Sequence, residues 1–247
     1  MNRRQLLSVM GTATVAGCVG DDMADTSGPE DSSDDGGTSS TNGTDTNPSE
    51  PEPAIDVSVS DVSLGTMTTP NGRTETAVTG LVKNTGEARL GAVTAAGKFY
   101  NADGQLLSSA IWDIRDLVPG EIWEPWIPYS GDGTVDSADL TITDSFAHGR
   151  TVSPNGMVLE SHDLQIPVDD YAMPRVLGEV SNQTETSVPA LLARPKLIAE
   201  NGHLLETAIA TVQNFGAGET WSFDTQVHFQ NSDWIDRIDS YQIVLTV

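Results

Sequence analysis

Lysine is almost missing from this chain of 247 residues. Only Lys83, Lys98 and Lys196, together with nine arginines, stand against 36 acidic residues, for a formal charge of -24. With no basic patch to release counterions, nucleic acid is excluded as a partner. Cysteine is scarcer still. Cys18 is the one thiol, so the chain can form neither an internal disulfide nor a cysteine-built zinc site, each of which needs at least two. The four histidines, His148, His162, His203 and His228, lack metal-ligand spacing and read as surface or turn residues. Nucleophile elbow, phosphate-cradling glycine loop and dinucleotide fingerprint are all missing, so no catalytic residue, cofactor or metal is assigned.

What the chain does have begins with an address. Arg3-Arg4 is followed by an apolar run from Leu6 to Ala16, too short to span a bilayer as a helix. The pair with Gln5-Leu6-Leu7 resembles a twin-arginine export signal, although Asn2 stands where Ser or Thr is commoner. The run closes on Val15-Ala16-Gly17-Cys18, which resembles a lipoprotein box, with the chain cut after residue 17 and lipid attached to Cys18. Two hydrocarbon chains at roughly 0.8 kcal/mol per buried CH₂ would hold such a product on a membrane.

Residues 18-54 form the next segment. From Val19 to Ala54 there are ten acids, no base and no aromatic residue, a composition that cannot bury enough apolar surface to offset chain entropy. The expectation is a disordered acidic tether with a reach of roughly 30 to 35 Å. Beyond it, residues 55-247 carry 26 acids against ten bases. Excess carboxylate with almost no lysine resembles the proteins of salt-loving archaea, whose acidic surfaces stay soluble in molar salt and repel themselves at low ionic strength.

An internal repeat organises the remainder. A shift of 98 positions lays Gly80 to Trp123 on Gly178 to Trp221 without a gap, with 15 of 44 positions identical. Val135-Asp136-Ser137 then matches Ile238-Asp239-Ser240 after a five-residue insertion in the second copy. Alternation such as Ile55-Asp56-Val57-Ser58-Val59 has the period of two of half-buried strands. Asp103-Gly104 and Asn201-Gly202 read as hairpin turns, and Asn84 and Asn182 as strand ends whose amides bond a turning backbone. The fold class predicted is therefore all-β: two tandem immunoglobulin-like β-sandwich domains, 55-147 and 158-247, joined by a connector at 148-157.

Gly80-Leu81-Val82-Lys83-Asn84, Phe99-Tyr100-Asn101-Ala102-Asp103-Gly104 and Leu117-Val118-Pro119-Gly120-Glu121 together resemble the FxLYD type of domain, a small β-sandwich of secreted and surface lipoproteins. The second copy is more divergent, with Leu197-Ile198 in place of the aromatic pair and Gly216-Ala217-Gly218-Glu219 in place of the proline turn. These motifs describe strands and turns, so the resemblance implies a fold and no activity.

Candidate contact residues are few. If Trp123 faces the core, alternation turns Trp126 outward, opposite Asp224 in the second copy, as a ring that could meet a partner or stack on a sugar. Trp112, opposite Ala210, is a second candidate. The oxygen-rich runs Asn101 to Gly104 and Asp132 to Asp136 do not supply an EF-hand ligand set. Asn42-Gly43-Thr44 and Asn182-Gln183-Thr184 fit the acceptor pattern for N-glycosylation.

The sequence thus predicts a lipid-anchored protein on the extracytoplasmic face of the cell membrane. It would display two non-catalytic interaction modules to an envelope protein or glycan. The alternative is a ligand-binding accessory protein of an envelope transporter that holds a glycan or a metal, and a convergent polar pocket between the repeats would favour it. An enzyme would need a deep cleft with titratable groups in catalytic geometry.

Overall fold

The computed structural model describes residues 54-68, 74-149, 152-166, 173-229 and 232-247. Arg3, Arg4, Cys18 and Asn42 lie outside the described residues, as does the acidic tether up to residue 53. The fold is all-β, and among the described residues the one helical element is a 3-10 turn, Ser232–Arg237. No helix among them is long and apolar enough to cross a membrane.

The first repeat contributes β1 (Val57–Thr68), β2 (Thr74–Asn84), β3 (Leu90–Tyr100), β4 (Leu106–Leu117), β5 (Ile122–Trp123), β6 (Trp126–Pro128) and β7 (Ser137–Ala147). The second contributes β8 (Met157–Gln165), β9 (Arg175–Asn182), β10 (Val188–Ala199), β11 (Leu204–Thr207), β12 (Ala210–Phe215), β13 (Thr220–Gln226) and β14 (Ile238–Thr246). The same shift of 98 sets β2 on β9, β3 on β10, β4 on β11 plus β12, and β5 plus β6 on β13. In each repeat a sheet of the first, second and fifth strand positions faces one in which the third strand pairs with the fourth and the last. Among the described residues each half has six strand positions, one fewer than a constant-type immunoglobulin sandwich.

Alternation puts the core between these sheets. Val78 and Val82 of β2, Phe99 of β3, Ile114 of β4 and Leu140 of β7 share one cluster with Trp123 and Ile127. Val176 and Val180 of β9, Leu191 and Leu197 of β10, Phe223 and Leu245 share the other. Gly97 is required where it sits, because an added Cβ would lie 2.6 Å from Val78 Cγ1.

The repeated turns use the same chemistry twice. Asn84 and Asn182 are both fully buried, and each amide nitrogen donates to two or more carbonyls of neighbouring turns: Ala88 O and Leu117 O from Asn84, Thr186 O and Gly216 O from Asn182. Gly120 and Gly218 take φ of +81° and +70° and donate to the carbonyls of these same asparagines. The glutamate after each glycine accepts a backbone N–H from the turn, Val118 for Glu121 and Gly216 for Glu219. Identical residues at matched positions therefore hold one turn architecture in both copies.

The repeats share a sheet. β5 pairs in parallel with β11 through Trp123 and Leu204, and Glu124 N donates to Leu204 O at 3.0 Å. The strand order consequently runs β1-β2-β5-β11-β10-β12 across both copies, within one compact unit, Glu50–Val247. The contact covers two edges that would otherwise present unpaired backbone groups.

Candidate functional site

Three groups of side chains meet where the repeats join. The first is a buried ionic cluster. Lys196, with its side chain 2% exposed, reaches from β10 to Glu121 Oε2 at 2.7 Å and Asp116 O at 2.9 Å. Asp116 is fully buried at the end of β4 with φ of 66°, a left-handed conformation that Asp and Asn tolerate, and its counterpart Asn214 has φ of 52°. Arg89 binds both Asp116 carboxylate oxygens, at 2.5 and 2.6 Å. His148, read as a surface or turn residue, follows β7 in a loop as expected, but its side chain is buried rather than on the surface, 3% exposed and 3.9 Å from Asp116.

The second group surrounds Glu124, which accepts from Asn201 and His203 and pairs with Arg237. Burial pushes its carboxyl up, and the three hydrogen bonds with the Arg237 charge outweigh that and hold it below the usual range. These partners all come from the second repeat.

The third group lines an open cleft of about 660 Å³. One wall is Trp112, Asp113 and Arg115 of β4. A second is the corner between β11 and β12, from Glu206 to Ile209. The third comes from Arg175 of β9 with Asp224 to Gln226 of β13 and His228. The Trp112 indole N–H donates to Glu206 Oε2 and the Thr207 N–H to Glu206 Oε1, both at 2.8 Å. Burial pushes the Glu206 carboxyl up to about 7 against the lowering pull of those two bonds, and the Asp113 charge adds to the rise. Two half-exposed ion pairs flank it, Arg115 with Asp113 at 2.7 Å and Arg175 with Asp224.

Trp112, the second contact candidate, lines the cleft with its indole N–H on Glu206. The outward placement of Trp126 is corrected. Alternation does set it on the face opposite Trp123, since Val82 pairs with Trp123 and Thr79 with Trp126 in one unbroken register. That face is covered, however, by the second repeat. Trp126 is 8% exposed and meets Trp234 of the 3-10 turn edge-on, with ring centroids 6.0 Å apart at 64°. Trp234 lies in the stretch that carries the five-residue insertion, the only sequence signal that a cover exists. The indole N–H groups of Trp123 and Trp126 find no protein acceptor, and both rings line a void of about 10 Å³ beside Glu206.

Asn182 is corrected as a glycosylation candidate. The nitrogen that would carry a glycan is fully buried and already donates to Thr186 O and Gly216 O at 2.9 Å. Asn101 likewise spends its carbonyl on the Asp103 and Gln105 amides, closing a hairpin turn. Among the described residues no group of three or more His, Cys, Asp or Glu side chains is placed to hold a metal ion. Sequence reasoning missed Glu206, Arg175 and Asp224, because the topology alone brings β9, β11 and β13 to β4. No protein-family model matches this chain, and no curated protein matches it.

Proposed function

We propose that the chain is an exported cell-surface lipoprotein, anchored through Cys18 and spaced from the membrane by its acidic tether, that displays a double FxLYD-like sandwich as a non-catalytic binding body. Arg3-Arg4 and the small residues before Cys18 support the address. The observation that carries the binding role is the cleft at the join, built by strands of both repeats. A cleft made by two copies of one domain, which neither copy could form alone, gives the duplication a use.

The acids of the cleft are committed. Asp113 and Asp224 are each charge-paired with an arginine, and Glu206 takes the Trp112 and Thr207 N–H groups, so no cleft carboxylate is without a partner. This arrangement supports ligand binding over catalysis. It also favours the second reading, an accessory protein that holds a ligand outside the membrane, over display of two independent modules.

Membrane fractionation of cells making the native chain and a Cys18→Ser variant in high salt, with intact mass on the membrane form, tests the address. Native protein should begin at a lipid-modified Cys18, and the variant should leave the membrane. Soluble native protein with its first seventeen residues intact overturns the reading.

A further inference from the structure

We infer that the cleft at the join of the two repeats is a binding site for a neutral saccharide, with Trp112 as the apolar floor and the Arg115–Asp113 and Arg175–Asp224 pairs as hydrogen-bonding walls. This rests on the ligand-binding reading above and names its ligand class.

Charge balance carries the first step. An anion would need cationic side chains free of carboxylate, yet each arginine of the cleft is already paired with an aspartate. A cation would need free carboxylates, and the aspartates are taken by those same arginines. Glu206 is occupied as well, since one oxygen accepts the indole and the other a backbone amide. What remains after pairing is at most the one charge of Glu206, held between two uncharged N–H donors, in walls rich in hydrogen-bonding sites.

The inventory of those sites carries the second step. A guanidinium has five N–H donors and a carboxylate about four acceptor positions, so a pair sharing one or two contacts keeps several of each, side by side. The paired side chains are 39 to 50% exposed, so these spare sites are open to a ligand. Vicinal hydroxyls, which donate and accept at adjacent carbons, match donors and acceptors set side by side. Gln226 adds an uncharged amide, and Thr225 a hydroxyl oxygen that can accept while its proton goes to Ile209 O.

Shape and an aromatic ring complete the argument. The cleft of about 660 Å³ falls within the range of small-ligand sites and is open at one side, as suits one or two sugar rings or the end of a longer chain. Trp112 is partly buried with its N–H fixed to Glu206, so the ring is held in place before a ligand arrives. A fixed aromatic surface receives the C–H face of a pyranose at little entropic cost.

The test titrates the full mature chain in high salt with glucose, galactose, mannose and their neutral disaccharides, and with glucuronate and glucosamine as charged counterparts. Tryptophan fluorescence and saturation-transfer NMR read the binding. At least one neutral sugar should bind saturably, about tenfold more weakly to Arg175→Ala and to Trp112→Phe. The Lys98→Ala variant, altered outside the cleft, should bind as the native chain does. The assignment is overturned if no neutral member binds at roughly 50 mM while the chain stays folded. It is likewise overturned if a charged counterpart binds more tightly than its neutral parent, or if Lys98→Ala loses binding equally. Crosslinks from the cleft to an envelope protein with no sugar binding would overturn the saccharide and leave the ligand-binding reading intact. A chain found soluble with its leader uncut would overturn the address, whatever the sugar result.

Discussion

Lys98 and Lys196 hold the same place in the two copies and live in opposite surroundings: Lys98 is exposed on β3, whereas Lys196 is buried against Glu121 and Asp116 of the other repeat. The pair measures what the join costs and contributes, because the local strand is the same. Lys196→Ala leaves buried carboxylates without their cation and should destabilise the chain by about 3 kcal/mol. Lys98→Ala should stay within about 0.5 kcal/mol. Chemical denaturation of both variants in high salt checks this, and equal losses would show that the ionic cluster does not hold the repeats together.

Trp126 and Trp234 form the apolar half of the same join. Trp126→Ala should cost about 3 to 5 kcal/mol, the range for emptying a large aromatic site in a core. An exposed contact residue would have cost almost nothing. Because each ring fills space left by the other, the double variant should lose less than the sum of the single ones, by about 1 kcal/mol or more. Strict additivity would separate the two residues energetically.

Asn182 should emerge from the cell unmodified. Peptide mass mapping of the exported protein should find its side chain bare, since a glycan would require breaking the turn that its amide closes. Asn84→Ala and Asn182→Ala should each cost about 2 to 3 kcal/mol by leaving buried carbonyls unpaired. A glycan on Asn182 in folded protein would contradict the burial.

Two glutamates at the join titrate in opposite senses. The Glu206 carboxyl is raised in the folded chain, so its contribution is complete below the ordinary value near 4.5 and fades as the pH rises through about 7. That amounts to on the order of 3 kcal/mol, and a Glu206→Gln variant should lose most of this slope. Glu124 is lowered, so its contribution is present above the ordinary value and disappears as the pH falls through its folded value. Unfolding free energies of the native chain and both Gln variants from about pH 2 to 9 should separate the two slopes. A Glu206→Gln curve parallel to the native one between about pH 5 and 7 would refute the assignment.

Much of the fold was legible because it is local. The period of two, the Asp103-Gly104 and Asn201-Gly202 turns and the turn-closing roles of Asn84 and Asn182 each depend on a few neighbouring residues, and the repeat displayed them twice. The site was legible only in part. Trp112 could be singled out because it breaks the match with Ala210, whereas Trp126 broke the match with Asp224 for another reason and was misplaced by it. Alternation told which face Trp126 takes, and only the join told what that face meets.

The sequence by itself determined the strands, their turns and the duplication, because backbone alternation and turn hydrogen bonds act over short separations. It also set the acidic charge and the thiol at Cys18, which no fold can alter. Only the tertiary structure decided that one lysine of an identical pair is buried, that one tryptophan face is covered, and that four strands distant in the chain enclose a cleft. Those outcomes follow from which edge of one copy pairs with which edge of the other, a choice made by surface complementarity over the whole join.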